Sequence, residues 1–198
     1  GDIQLQRPLK VVADCGNGIG GSIAADVLRS IGAEVIPLFD EVDGDFPNHP
    51  PDPTDEANLE ELKRAVIDAG ADLGIGFDGD ADRVILLDEK GRVVDGDAVM
   101  ALCAGQMIAD KILANNTLVT TVMSNLGLDW ALRDAGGKVV RTQVGDRYVV
   151  EAMRKKGYTL GGEQSGHIIL MDESHGTGDG LRSAIYLIPA FTASGAKT

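Results

Sequence analysis

The chain has 198 residues, of which 31 are acidic and 18 basic, giving a formal net charge of −13, with 43% hydrophobic and only 4% aromatic residues. That apolar content supports a globular core in one large domain or two of about 100 residues, and it excludes disordered, collagen-like and disulfide-stapled classes. So acidic a chain lacks the cationic face that displaces phosphate counterions, so neither nucleic acid nor an anionic membrane is an expected partner.

The acidity is uneven: residues 1–100 carry −14 and residues 101–198 carry +1. Cys15 and Cys103 stand in apolar or glycine-rich surroundings and read as reduced core thiols. No run approaches the roughly 20 apolar residues of a membrane span, and Gly1 to Lys10 lacks the apolar stretch of a signal peptide, so a cytoplasmic location is expected.

In chain order, Leu9 to Ala13 reads as a strand, followed by a glycine loop and a helix patterned on Ile23, Val27, Leu28 and Ile31, which Gly32 ends. Val35 to Phe39 is the next strand. After the turn-rich segment Asp40 to Asp55, Leu59, Leu62, Val66 and Ile67 recur at helical spacing, and strands follow at Leu73 to Phe77 and Val84 to Leu87. This alternation predicts a largely parallel sheet with covered faces.

The second half repeats the first. Leu9 to Leu38 lines up with Leu118 to Thr142, 73–89 with 160–173, and Gly96-Asp97 with Gly178-Asp179 before an apolar helix. The expected architecture is α/β, with two similar domains at 1–96 and 97–198, each a mainly parallel mixed sheet covered by helices. Asp78 to Arg83 and Glu163 to His167 occupy equivalent strand ends, where open parallel sheets bind ligands, and are expected to line one cleft.

In Asp78-Gly79-Asp80-Ala81-Asp82-Arg83, alternate carboxylates point to one side of an extended loop, and three hard oxygen donors suit Mg²⁺. A calcium EF-hand is rejected because Arg83 stands where its sharp turn needs glycine, and because the flanks read as strands. With Val84 to Leu87 extended, Glu89 lies roughly 20 Å beyond Asp82, too far to share its ion. Arg83 beside a dication would be repelled unless phosphate oxygens lay between them, which marks the loop as built for a phosphate.

In Gly161-Gly162-Glu163-Gln164-Ser165-Gly166-His167, Glu163 and Ser165 can present acceptors and donors to neighbouring sugar hydroxyls. His167 is open to two readings, a proton shuttle or a structural histidine. Asp146 reads as the N-cap of a helix over Tyr148 to Lys156, and Arg147 as either a phosphate contact or a solvated surface cation. Gly16, Gly18 and Gly21 form a GxGxxG between strand and helix with Asp40 19 residues on, which meets the rule for a dinucleotide site. An NAD-dependent dehydrogenase is thus a rival, although it leaves both polar loops and the segment Phe46 to Pro53 without a role.

Taken together, DGDADR, GEQSGH and FPNHPPDP resemble the α-D-phosphohexomutase family across essentially the whole chain. The resemblance implies an enzyme that moves a phosphoryl group between the 6- and 1-positions of a hexose through a hexose 1,6-bisphosphate, using Mg²⁺ and a phosphoserine. It assigns Asp78, Asp80 and Asp82 to the metal, Arg83 to the transferring phosphate, Glu163 and Ser165 to the sugar's 3- and 4-hydroxyls, and His167 to the vicinity of the reacting hydroxyl. GGEQSGH, VGDRYV and GTGDG look like the glucosamine-phosphate branch, whereas FPNHPPDPT looks more like the mannose- and glucose-phosphate branch.

Family chains have four domains, with the phosphoserine on a Ser-His-Asn loop of the first and a phosphate-gripping loop in the fourth. No serine of this chain has that context. The expectation is therefore the two central domains alone, inactive by themselves, or else a non-catalytic sugar-phosphate-binding module.

Overall fold

A computed structural model describes residues 5, 7–172 and 176–193. Two compact units emerge: residues up to Val94 together with the helix that begins at Gly180, and Asp95 to Asp179.

The first unit is built on β1 (Lys10–Asp14), α1 (Ala24–Ser30), β2 (Glu34–Leu38), α2 (Glu60–Ala69), β3 (Leu73–Phe77), β4 (Val84–Leu87) and the two-residue β5 (Val93–Val94). The sheet order is β2-β1-β3-β4-β5, with β1 parallel to β2 and β3, and β4 antiparallel to both β3 and β5. β3 and β4 are buried at every residue, which is why they read as unbroken apolar runs. Leu59, Leu62 and Val66 pack with Val12, Ile85 and Leu87, whereas Ile23 and Ile67, expected on core faces, are exposed.

The second unit contains α3 (Gly96–Ala109), β6 (Thr117–Thr121), α4 (Leu126–Asp134), β7 (Lys138–Thr142), α5 (Asp146–Lys156), β8 (Leu160–Gly162) and β9 (Ile168–Leu170), with sheet order β7-β6-β8-β9. That is the order β2-β1-β3-β4 over again, with the same parallel and antiparallel pairs. The repeat read from the sequence is thus a repeat of topology.

The sequence reading divides the chain into 1–96 and 97–198; the packing of the final helix crosses that division. α6 (Gly180–Ala193) packs on β3 and β4 of the first unit, so the residues after 179 do not group with the second. Its register is set at Gly180, whose N–H donates to the Ala81 carbonyl at 3.0 Å. A Cβ at Gly180 would stand 2.6 Å from the Arg83 carbonyl oxygen, so only glycine permits this approach. Conversely α3, which follows the first repeat, packs on β8 and β6 and against α4.

Candidate functional site

β1, β2 and β3 run parallel, so the loops after them open at one sheet edge. The loop from β3 to β4 is Asp78 to Arg83. One carboxylate oxygen from each of Asp78, Asp80 and Asp82 lies within 4.8 Å of the others. An octahedral Mg²⁺ holds oxygens about 2.1 Å away, hence about 3.0 Å apart in adjacent positions and about 4.2 Å in opposite ones, so the three oxygens would close in on the ion as it binds. The donor set is hard oxygen throughout, as Mg²⁺ prefers, and the residues fit it.

The loop takes this shape because its backbone is fixed from three sides. Ala81 adopts a left-handed φ of +58° and is held by Gly180. Gly79 accepts at 2.9 Å from the Ile19 N–H, and a Cβ on Gly18 would stand 2.6 Å from the Gly79 carbonyl oxygen. The Arg83 N–H donates to Asp78 Oδ1 at 3.0 Å.

The charge is concentrated. Asp78 has a side chain only 13% exposed, and its burial, with Asp82 and Asp80 alongside, pushes its carboxyl up to about 6 against the hydrogen bond from Arg83. Arg83 Nε sits 3.7 Å from Asp78 Oδ2 and 3.9 Å from Asp82 Oδ1, too long for hydrogen bonds. That nitrogen has no hydrogen-bond partner among the described residues, while the side chain is 41% exposed. Arg83 is therefore a partly exposed cation at the rim of the acidic loop, paired with Asp78 and Asp82 by charge and not by hydrogen bonds.

The GxGxxG glycines are occupied with packing. Gly18 lies on Gly79, and a Cβ on Gly21 would fall 2.2 Å from the Asp40 carbonyl oxygen. The Ile19 N–H, which a pyrophosphate would need at a dinucleotide turn, is spent on Gly79. A single turn of 3₁₀ helix (Ile19–Ser22) follows, then the seven-residue α1.

Sequence reading gave the segment Phe46 to Pro53 no chemistry, and the structure gives it a place. His49 Nε2 lies 3.1 Å from Asp14 Oδ2 at the end of β1, and Asn48 donates to Asn17 at 2.7 Å. Asp14 is buried, which pushes its carboxyl up against the opposing hydrogen bond from Gly16 and the charge of His49. Pro51 packs beside Gly79. Asp52 is held below the usual carboxylate range by hydrogen bonds from Thr54 and by the nearby Arg83 charge. The segment is thus the outer wall of the acidic loop. Only its unusual density of Pro, Asn and Asp could have signalled this, because its partners lie about thirty residues away.

In the second unit β6, β7 and β8 are parallel, and Glu163 to His167 follows β8. Glu163 Oε1 accepts from the Gly145 N–H at 3.0 Å, which ties this loop to the start of α5. Gly145, with φ +124°, is the N-cap of that helix; Asp146 is its first residue and bonds the Arg147 N–H instead of capping. The expected cap is displaced because Gly145 must bend to meet Glu163.

Gly96 at the start of α3 donates to the Gln164 carbonyl at 3.1 Å and supports the loop from beneath. Ser165 is half-buried. His167 is buried, its ring against the backbone of Gly178, where a Cβ would come within 2.3 Å. Arg147 is exposed and lies over the Tyr148 ring, 4.5 Å from its centroid. The structure therefore groups Asp78, Asp80, Asp82 and Arg83 in one loop, and places Glu163, Ser165 and His167 in another with Arg147 at the adjoining helix start.

Two α/β units of one repeated kind, each with a polar loop at the same sheet edge, match one family along nearly the whole sequence. Residues 2–91 match phosphoglucomutase/phosphomannomutase, alpha/beta/alpha domain II, and residues 95–198 match alpha/beta/alpha domain III. The chain belongs to the phosphoglucomutase/phosphomannomutase family, the α-D-phosphohexomutases.

It is 53% identical over 182 residues to a phosphoglucosamine mutase of Citrifermentans bemidjiense, covering 91% of this chain and 39% of that protein. It is 52% identical over 187 residues to one of Syntrophotalea carbinolica, covering 94% and 40%. A crystal structure of a phosphoglucomutase/phosphomannomutase family protein from Burkholderia thailandensis superposes with a TM-score of 0.89 at 34% identity, over 96% of this chain and 41% of that one. The chain thus spans about two-fifths of the length of these relatives. Among the described residues no helix is long and apolar enough to cross a membrane.

Proposed function

We propose that this chain is the metal-binding and sugar-binding part of a phosphohexomutase that interconverts hexose 6-phosphate and hexose 1-phosphate through a hexose 1,6-bisphosphate, with glucosamine phosphate as the favoured substrate. The observation that carries this reading is the cluster of Asp78, Asp80 and Asp82 with Arg83 beside it, in a chain half identical to proteins named phosphoglucosamine mutase.

Asp78, Asp80 and Asp82 would hold Mg²⁺, which when bound supplies positive charge to the transferring phosphoryl oxygens. Arg83 would bind those same oxygens, a role its exposed guanidinium can meet. Glu163 would accept from a sugar hydroxyl while its Oε1 stays anchored on Gly145, and Ser165 would bond the neighbouring hydroxyl. Arg147 would take the non-transferring phosphate. His167 would move the proton of the hydroxyl that attacks phosphorus as the bond from phosphorus to the phosphoserine oxygen breaks. The phosphoserine and a further phosphate-binding domain would come from polypeptide beyond these residues.

The test is turnover of the longer polypeptide on glucosamine, mannose and glucose 6-phosphates, with a bisphosphate primer. Glucosamine 6-phosphate should be preferred and the 198-residue chain alone should be inactive. A preference for mannose or glucose phosphate would move the protein to the other branch, and full-rate mutase activity from the 198 residues would overturn the division of labour. Separately, Asp80→Asn should weaken Mg²⁺ binding to the isolated chain by about tenfold or more, measured by calorimetry; unchanged affinity would remove the site.

A further inference from the structure

Both ring nitrogens of His49 face acceptors. Nδ1 lies 2.8 Å from the Pro50 carbonyl oxygen, and Nε2 lies 3.2 and 3.1 Å from the two oxygens of Asp14. A carbonyl oxygen only accepts, so Nδ1 donates to it, and a second proton then lies between Nε2 and the carboxylate. The side chains of His49 and Asp14 are 15% and 2% exposed, and removing one partner from so dry a charged pair costs far more than it does at a surface. The Phe39 ring meets the imidazole edge to face, with centroids 5.4 Å apart, and a Cβ on Gly16, whose φ is +51°, would stand 3.2 Å from His49 Cε1. The ring is thus fixed in place at the end of β1.

What His49 fixes reaches the acidic loop. Two residues on, Pro51 has its Cγ 3.3 Å from where a Cβ on Gly79 would stand, and Phe46 approaches the same point to 3.8 Å. The Gly79 carbonyl is held in turn by the Ile19 N–H, with Gly18 packed against it. Gly79 separates Asp78 from Asp80. It is therefore confined by the loop after β1 and by the segment that His49 pins, which the Asn48 bond to Asn17 fastens a second time.

The three clustered carboxylates repel one another when ionised, and a loop free to yield would relieve this by spreading. We propose that His49 is a positioning residue for the metal: paired with Asp14, it holds Pro51 over Gly79, and this confinement keeps Asp78, Asp80 and Asp82 close enough to take up Mg²⁺. The inference rests on the reading of those aspartates as the Mg²⁺ ligands.

A histidine that served only the stability of the first sheet would leave metal affinity alone in the folded chain, so calorimetric titration with Mg²⁺ separates the two roles. His49→Ala should weaken binding about three- to tenfold at a temperature where circular dichroism shows the variant folded. That is less than the roughly 10- to 100-fold lost with a direct partner of a ligand, because the effect passes through packing. Pro51→Ala leaves the pair intact yet uncovers Gly79, and should weaken binding to a similar degree even if His49→Ala does not fold. Val66→Ala, a core truncation beside Gly74 at the start of β3, should lower the unfolding temperature and leave the affinity unchanged. In the double variant of Asp14→Asn with His49→Ala the losses should not add, because each breaks the same pair. Unchanged affinity in His49→Ala or Pro51→Ala, an equal loss in Val66→Ala, or additive losses in the double variant would each overturn the proposal. Asp80→Asn keeps it distinct from the metal site. If that change weakens Mg²⁺ binding while His49→Ala does not, the site stands and the positioning role falls; if Asp80→Asn leaves the affinity unchanged, both fall.

Discussion

Magnesium should raise the unfolding temperature of this chain by roughly 5–10 °C at pH 8 when present at about a hundred times its dissociation constant, and by about half that at pH 5. The reason lies in Asp78, whose carboxyl is raised from 3.8 to about 6 by burial and by the carboxylates around it. A carboxyl raised on folding favours the folded state when protonated. That contribution is complete below pH 3.8 and is lost as the pH rises through 6. The metal-free loop is thus least favourable where all three carboxylates are charged, and the dication relieves it there. At pH 5 the ion must displace a proton from Asp78, which weakens binding about tenfold for a carboxyl titrating near 6.

Asp78→Asn should flatten this dependence. At pH 8 the metal-free variant should be at least as stable as the parent, while the magnesium effect falls away, because one of three ligands has lost its charge. Thermal scans at the two pH values with and without Mg²⁺ decide the matter. Equal magnesium shifts at both pH values, or an undiminished shift in the variant, would rule this account out.

The second large effect concerns two glycines in one helix, for which the same substitution should have opposite signs. Gly96 begins α3 in contact with the backbone of the Glu163 loop: a Cβ there would lie 2.5 Å from the Gln164 carbonyl oxygen and 2.6 Å from that of Glu163. These are main-chain atoms held by the Gly96 and Gly166 hydrogen bonds, so they cannot swing aside. Gly96→Ala should cost about 1–3 kcal/mol of stability. Gly105, nine residues on in the same helix, has nothing within 4 Å of its Cβ position. Gly105→Ala should add about 0.5–1 kcal/mol, because alanine loses less backbone freedom on folding. Urea titrations of both variants test the pair, and a shared sign would show that helix propensity, not the loop contact, governs Gly96.

Much of this was readable before any coordinates, for identifiable reasons. β3 and β4 have the bounds expected because both are buried on two sides, and buried strands write themselves as apolar runs that a charged loop interrupts sharply. The oxygens of Asp78, Asp80 and Asp82 do come together, but on a tight turn and not on the extended loop expected: the Ala81 N–H donates to the Asp78 carbonyl at 3.1 Å and Ala81 takes a left-handed φ. Periodicity was weaker on the surface helices, where Ile23 and Ile67 satisfy a helical spacing yet face water.

β5 escaped notice because two residues carry no period. The pairing of His49 with Asp14, and the clamp of Arg141 on the loop after β6, join residues distant in sequence whose partners are often main-chain carbonyls. No local pattern encodes such contacts. Nor does an apolar helix announce which sheet it covers: the stretch after Gly178-Asp179 was legible as a helix, but its partner strands were not.

The placement of α6 also bears on how the chain acquires its structure during synthesis. A ribosome that has just released Val94 has made every strand of the first sheet, but not the helix that lies on β3 and β4. The hydrogen bond from Gly180 to Ala81 joins residues 99 positions apart, with the whole second unit emerging between them. The unit that is continuous in sequence can therefore complete its own long-range pairings first, and the acidic loop receives the anchor from Gly180 only after the second unit has been made. Of the two units, the one richer in negative charge is the one whose fold closes second.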